Sequence, residues 1–260
     1  TTVAEPFIEV FSAGNSGPSS NTLTAPKEAK NLIVTASSAN YRVGNIDAIS
    51  SFSSRGPSKD GRIVPTITTP GDEIASTAND LGGDCSTGIS GTGGWYAFCS
   101  GTSMASPHTS GAVALIADKW ADDHSGAILS PAMAKAILVN SAVDMGTADI
   151  PNFNEGWGRV NITKALAPDT DVRYFDQAQV LTEVGQQWTL PVAVKDPTKP
   201  LKVTLAWTDA AGAAGANPAL VNNLDLTVSV GATTYKGNVF SGGWSATGGS
   251  ADAFNNLENV

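Results

Sequence analysis

The apolar positions of this chain fall into two textures that meet near residue 168. In the first, short apolar runs alternate with stretches of helical periodicity, the pattern that lays crossover helices on a parallel sheet. "PFIEVFSAG" and "NLIVTASS" are apolar runs ending in small or polar residues and read as buried strands. "MASPHTSGAVALIADKW" repeats apolar residues through Val113, Leu115, Ile116 and Trp120, while Gly111, Ala112 and Ala114 allow close packing, so it predicts a central, largely buried helix. "SPAMAKAILVNSA" predicts a second helix, with Ser130 as N-cap, Pro131 at its first position, and Met133, Ile137 and Leu138 on its apolar face. "EGWGRVNITKAL" predicts a turn and a last short helix.

The second texture has period two. "QWTLPVAVKD" alternates Trp188, Leu190, Val192 and Val194, "LKVTLAW" alternates Leu201, Val203, Leu205 and Trp207, and "NLDLTVSV" alternates Leu224, Leu226, Val228 and Val230. Turn-rich connections and no helical stretch predict an antiparallel β-sandwich or jelly roll. The chain thus divides into an α/β unit with a parallel sheet, residues 1–167, and a β-sandwich unit, residues 168–260. There is no internal repeat.

Composition narrows the function classes. With 260 residues, 41% hydrophobic and 15% charged, the chain is a globular protein able to bury a proper core. No apolar run approaches the ~18 residues that cross a bilayer, so no membrane partner is expected. "TTVAEPFIEVFSAG" has no basic region before an apolar stretch and shows no signal peptide, an absence without weight in a processed or cut piece. A net charge of −9 with no dense basic stretch argues against nucleic acid as a partner. Cys85 and Cys99 flank a Gly-rich segment that folds back as a hairpin in one reading, giving a disulfide and an oxidising compartment. Two buried free thiols are the other reading.

The strongest chemical signal is "AFCSGTSMASPH". Ser103 stands at the mouth of the predicted helix, where unpaired N–H groups favour developing negative charge, and Pro107 is expected in the first turn. A serine hydroxyl is a poor nucleophile until a base takes its proton and donors hold the oxyanion that its attack creates. Taken alone, Ser103 or Ser106 simply caps a helix, and "GNSG" around Asn15 is an ordinary turn.

Taken whole, "GTSMASPHTSGAVAL" resembles the nucleophile motif of the subtilisin-like serine proteases, and "FSAGNSGP" resembles their oxyanion segment. "NLIVTASSAN", "ISSFSSRGP", "VPTITTPGDEIAST", "LSPAMAKAILVNSA" and "GWGRVNITKAL" are similar to the family's other stretches in the same order, so the likeness covers roughly residues 6–166. It implies a serine endopeptidase acting through an acyl-enzyme, with Ser103 as nucleophile, Asn15 as oxyanion donor, and a substrate pocket beside Ala13, Gly14 and Thr102. It implies a protein or peptide substrate, secretion to the extracellular space or periplasm, and no cofactor for the chemistry itself. Thr66, in "VPT", departs from the family's usual aspartate and reads as a structural variation.

The family's triad also needs an aspartate and a histidine in glycine-flanked motifs ahead of the oxyanion asparagine, and no "DTG" or "HGTH" string occurs here. His108 follows Ser103 on the same helix and is expected to pack or hydrogen-bond, and His124 in "ADDHSG" is expected in solvent. The chain is therefore expected to be inactive alone and to be joined in the working molecule to an N-terminal segment carrying both residues. A rival reading is a non-catalytic binding protein, a degenerate core carrying a recognition sandwich.

Residues 168–260 resemble the β-sandwich that follows the catalytic domain in some large bacterial alkaline subtilases, through "VNNLDLTV" and "NNLENV". Asn223, Asp225, Asp252, Asn256 and Glu258 supply hard oxygen donors from two loops and predict a structural Ca²⁺ site, with solvated acids and turn asparagines as the plain alternative.

Overall fold

The computed structural model describes residues 7–78, 85, 87–147 and 149–260. Its centre is a parallel sheet of β1 (Val10–Ser12), β2 (Ile33–Ser38) and β3 (Ile67–Pro70), in that order, with Val10 opposite Ile33 and Thr35 opposite Ile67. A second, antiparallel sheet holds β4 (Ile74–Thr77), β5 (Thr87–Gly88) and β6 (Tyr96–Cys99), ordered β4-β6-β5. Cys85 and Cys99 are joined by a disulfide beside this sheet, so the bonded reading of the two cysteines holds.

Three helices follow: α1 (Thr102–Asp123), α2 (Pro131–Ser141) and α3 (Ile162–Leu166). α2 starts as its sequence predicts, with the Ser130 side chain accepting the Met133 N–H at 3.1 Å and Pro131 at the first helical position. α3 is capped by Asn161, which accepts the Lys164 N–H at 3.0 Å. Ile33 and Ile67 from the sheet meet Val113, Ile116 and Trp120 of α1 and Ile137 and Leu138 of α2 in the main core. Each such side chain contributes about 1.5–3 kcal/mol by leaving water.

Two expectations for α1 change. It is not largely buried: Ala112, Val113, Ile116 and Trp120 face the core, whereas Ser110, Gly111 and Ala114 are exposed and Leu115 is 52% exposed. Leu115 shares the apolar repeat in sequence but falls on the opposite side of the packed stripe. Nor is Pro107 in the first turn; it lies inside the helix, where its missing N–H leaves the Ser103 carbonyl without its usual partner four residues on.

β3 escapes a reading based on apolar periodicity because its interior positions are threonines. Thr68 and Thr69 are buried, and their hydroxyls donate to the carbonyls of Glu155 at 3.0 Å and Ala105 at 2.7 Å, which cancels the cost of burying them.

Beyond α3 the structure is β-rich and antiparallel. β7 (Thr204–Ala206) pairs with β11 (Leu257–Asn259), and β9 (Thr233–Ser241) lies between β8 (Thr227–Val230) and β10 (Trp244–Thr247). The "QWTLPVAVKD" strand is not formed; Trp188, Leu190, Val192 and Val194 are exposed and in no regular element. Alternation marks a face that a sheet can bury, but a strand exists only when a neighbour takes its backbone hydrogen bonds, and none does so here among the described residues.

Glu155 ties the loop before α3 to the end of α2, accepting the Met145 N–H at 2.9 Å and the Asn152 amide at 2.8 Å. Burial first, then the Asp144 and Asp149 charges, raise its pKa from 4.5 to about 7. The folded state therefore holds a proton that the unfolded state has released between these values, so this contribution is full below pH about 4.5 and lost as pH climbs through about 7. Glu155→Gln is expected to flatten the pH dependence of the urea midpoint in that window, and an unchanged slope would place the titration elsewhere.

Candidate active site

Two turns meet at the end of the parallel sheet. After β1 the Ala13 N–H continues the pairing to Thr35 O at 2.9 Å, and Gly14 then turns the chain at φ +107°. A Cβ there would lie 2.9 Å from Ser54 Oγ, so both conformation and space select glycine. The second turn follows β6, where the Gly101 N–H donates to Gly71 O at 2.8 Å and brings α1 to the tip of β3.

The first residues of α1 have no intrahelical acceptor for their N–H groups. Gly101, the N-cap, has no side chain to offer, and Asn15 fills the role from 87 residues away: its Oδ1 accepts both the Thr102 N–H and the Thr102 hydroxyl, each at 2.9 Å. The same hydroxyl accepts the Gly14 N–H at 3.0 Å and closes the ring. With Oδ1 so occupied, the orientation of the amide is set. Its Nδ2 lies beside Gly101, where a Cβ would be 3.2 Å away, and has no acceptor among the described residues.

Ser103 is the next residue. Its side chain is exposed and its Oγ takes part in no hydrogen bond among the described residues, while its N–H belongs to the first helical turn. The Asn15 amide and the first N–H groups of α1 thus lie around Gly101, next in the chain to the exposed Ser103, and such donors suit negative charge on a carbonyl oxygen. Asn15 and Ser103 are brought together.

No histidine serves the hydroxyl. His108 turns its Nδ1 to Met104 O at 2.9 Å on the exposed side of α1. His124 sits at the C-terminus of α1, Nδ1 to Trp120 O at 2.9 Å, its ring stacked on Trp120 with centroids 3.8 Å apart. Two of the three expected pocket residues lie in the interior: Ala13 is 0% exposed and packs with Leu23, Leu32 and Val34, and Thr102 is 1% exposed. Thr102 holds Asn15, a positioning part that only the hydrogen-bond ring reveals. Gly14 alone of the three is partly exposed.

The five residues expected around Ca²⁺ do not form a single set. Asn256 is spent on the contact with the α/β unit, its amide donating to Asn31 Oδ1 at 3.1 Å and Trp207 O at 2.8 Å. Asp252 folds its own loop, accepting the Phe254 N–H at 2.8 Å and the Asn255 amide at 2.6 Å. Asn223 and Asp225 are exposed. Glu258 is 1% exposed; Oε2 accepts the Leu226 N–H at 2.6 Å and Oε1 has no partner among the described residues. Burial first, then the Asp252 and Asp225 charges, raise its pKa to about 8.

Residues 1–158 match the Subtilase family, and the chain belongs to that family of serine proteases. It is 35% identical over 163 residues to the serine protease AprX of Bacillus subtilis, an alignment covering 62% of this chain and 35% of AprX. It is 26% identical over 293 residues to the serine protease/ABC transporter B family protein tagD of Dictyostelium discoideum, covering 89% of this chain and 16% of that protein. Among solved structures, a lanthipeptide protease aligns over 61% of this chain and 50% of its own, with a TM-score of 0.48 and 22% identity. The chain thus spans about a third or less of these two curated relatives.

Proposed function

We propose that this chain carries the nucleophile and oxyanion half of a serine endopeptidase, with Ser103 attacking the scissile carbonyl and Asn15 and the Ser103 N–H holding the oxyanion. The observation that carries this reading is the bond ring of Asn15, Thr102 and Gly14, which anchors Asn15 to the residue before the exposed Ser103 and leaves its Nδ2 without an acceptor among the described residues. The aspartate and histidine of the triad come from a further segment seated on this chain. Support for that seat is a surface without a neighbour among the described residues: β1 is an edge strand there, and an open groove of about 320 Å³ runs between it and α1, lined by Phe7, Val10, Phe11, Ser110 and Val113. Phe7 is 76% exposed there. A bare strand edge beside exposed apolar side chains is a surface that folded domains cover. The disulfide fits an oxidising compartment, hence secretion. Among the described residues no helix is long and apolar enough to cross a membrane.

A fluorophosphonate probe tests this reading: it labels Ser103 in the full protein, not in the Ser103→Ala variant, and hardly at all in this chain alone. Full protein that resists the probe and cleaves no peptide favours the binding-protein reading. Strong labelling of the isolated chain means that a base is present within it.

A cation beside Glu258, Asp225 and Asp252 is the second element of the proposal, supported by the buried, unpartnered Glu258 Oε1. EDTA is then expected to lower the Tm of the full protein, since an ion held only by the folded state stabilises it; an unchanged Tm removes the ion.

A further inference from the structure

Lys135 of α2 is 5% exposed, and among the described residues its ammonium makes one hydrogen bond, to Lys30 O at 3.0 Å. Lysine is almost never buried so deeply unless paired, because an isolated ammonium is costly away from water. Among the described residues no carboxylate pairs with it: Asp209 is taken by Lys30 at 2.5 Å and Asp60 by Arg62 at 2.8 Å. Three cations and two carboxylates leave one positive charge over.

That charge borders a cavity of about 20 Å³ at the junction of the α/β core with β11, lined among others by Lys30, Arg62, Thr66, Lys135 and Trp157. The Thr66 Oγ1 accepts the Val34 N–H at 3.2 Å, and its own proton has no acceptor among the described residues. Two residues that line the cavity thus have unused donors among the described residues, the ammonium of Lys135 and the hydroxyl of Thr66. The cavity has room for one occupant of about the size of a water. A water accepts from both groups but leaves the charge uncompensated; a small anion accepts from both and cancels it.

We propose that this cavity is a binding site for one small monovalent anion of the halide class, held by the Lys135 ammonium and the Thr66 hydroxyl. Burial with no counter-charge, and then the Arg62 charge, pull the Lys135 pKa from 10.5 to about 7; the anion restores the ammonium. Position 66 is also where the chain departs from the pattern it resembles. The site lies in the junction of the two units and is independent of the catalytic reading.

The test compares the Tm of the full protein in sodium chloride and in sodium gluconate at equal ionic strength, near pH ~6 where the ammonium is charged. Chloride is expected to raise the Tm by about 2–5 °C, saturating with concentration. Thr66→Asp is expected to raise the Tm in gluconate and abolish the chloride increment. Bromide soaked into crystals is expected to give an anomalous peak within hydrogen-bond reach of Lys135 Nζ and Thr66 Oγ1. Equal Tm values with no bromide peak in the cavity overturn the proposal, as does a chloride increment that survives in Thr66→Asp. If that variant fails to fold, the bromide peak decides alone, and its absence overturns the site.

Discussion

On the proposed reading, Asn15→Ala is expected to lower kcat of the full protein by ~10²–10³ with little change in KM, the loss associated with one oxyanion donor. That range is the one known for an oxyanion-hole asparagine in subtilisin. The geometry adds a second consequence, because the Asn15 Oδ1 also caps α1 through the Thr102 N–H. Losing a cap costs about 1 kcal/mol, so the variant melts lower as well as turning over more slowly. Asn15→Asp separates the two effects: it keeps the acceptor for Thr102 but replaces the donor with a negative charge, so the cap survives while turnover falls at least as far. A full protease whose kcat is unmoved by either change would remove Asn15 from the mechanism.

Asp209→Ala is expected to destabilise the protein by about 3–5 kcal/mol, read as a fall in the urea midpoint, because it strands a buried ammonium. Asp209 is buried and joins the two units. It accepts Lys30 Nζ at 2.5 Å and the N–H groups of Val221 and Asn222, each at 2.8 Å, while its own backbone exchanges hydrogen bonds with Asn31 at 2.9 and 3.0 Å. Burial pushes the carboxyl pKa up, but Lys30 and these N–H groups outweigh it and hold the group below the ordinary 3.8. Asp209→Asn retains the acceptor for Val221 and loses the charge opposite Lys30, so an intermediate loss is expected. A loss under ~1 kcal/mol for the alanine variant would show that the junction tolerates an unmatched Lys30.

The contrast between these two sites shows what a linear reading sees. Asn15 and Ser103 stand out in the sequence as candidates because each sits in a string of neighbours whose small residues make its turn possible. Lys30 and Asp209 carry no such string; each is a lone charge, and nothing within a few positions of either marks a partner 179 residues away. Lys135 is hidden in the same manner, as a polar residue at one position of a well-formed helix.

Determined by the sequence itself were the features that depend on residues a few positions apart: the Ser130–Pro131 start of α2, the buried run of β2, and the family motifs around Asn15 and Ser103. Tertiary structure alone decided that Leu115 faces outward, that "QWTLPVAVKD" forms no strand, that Ala13 and Thr102 belong to the interior, and that Asn15 caps α1 across 87 residues. The physical reason is the range of the forces involved. Capping and turn preferences act within one or two turns of chain, whereas burial and hydrogen-bond completion depend on which distant segment arrives, and periodicity records only that a face wants covering.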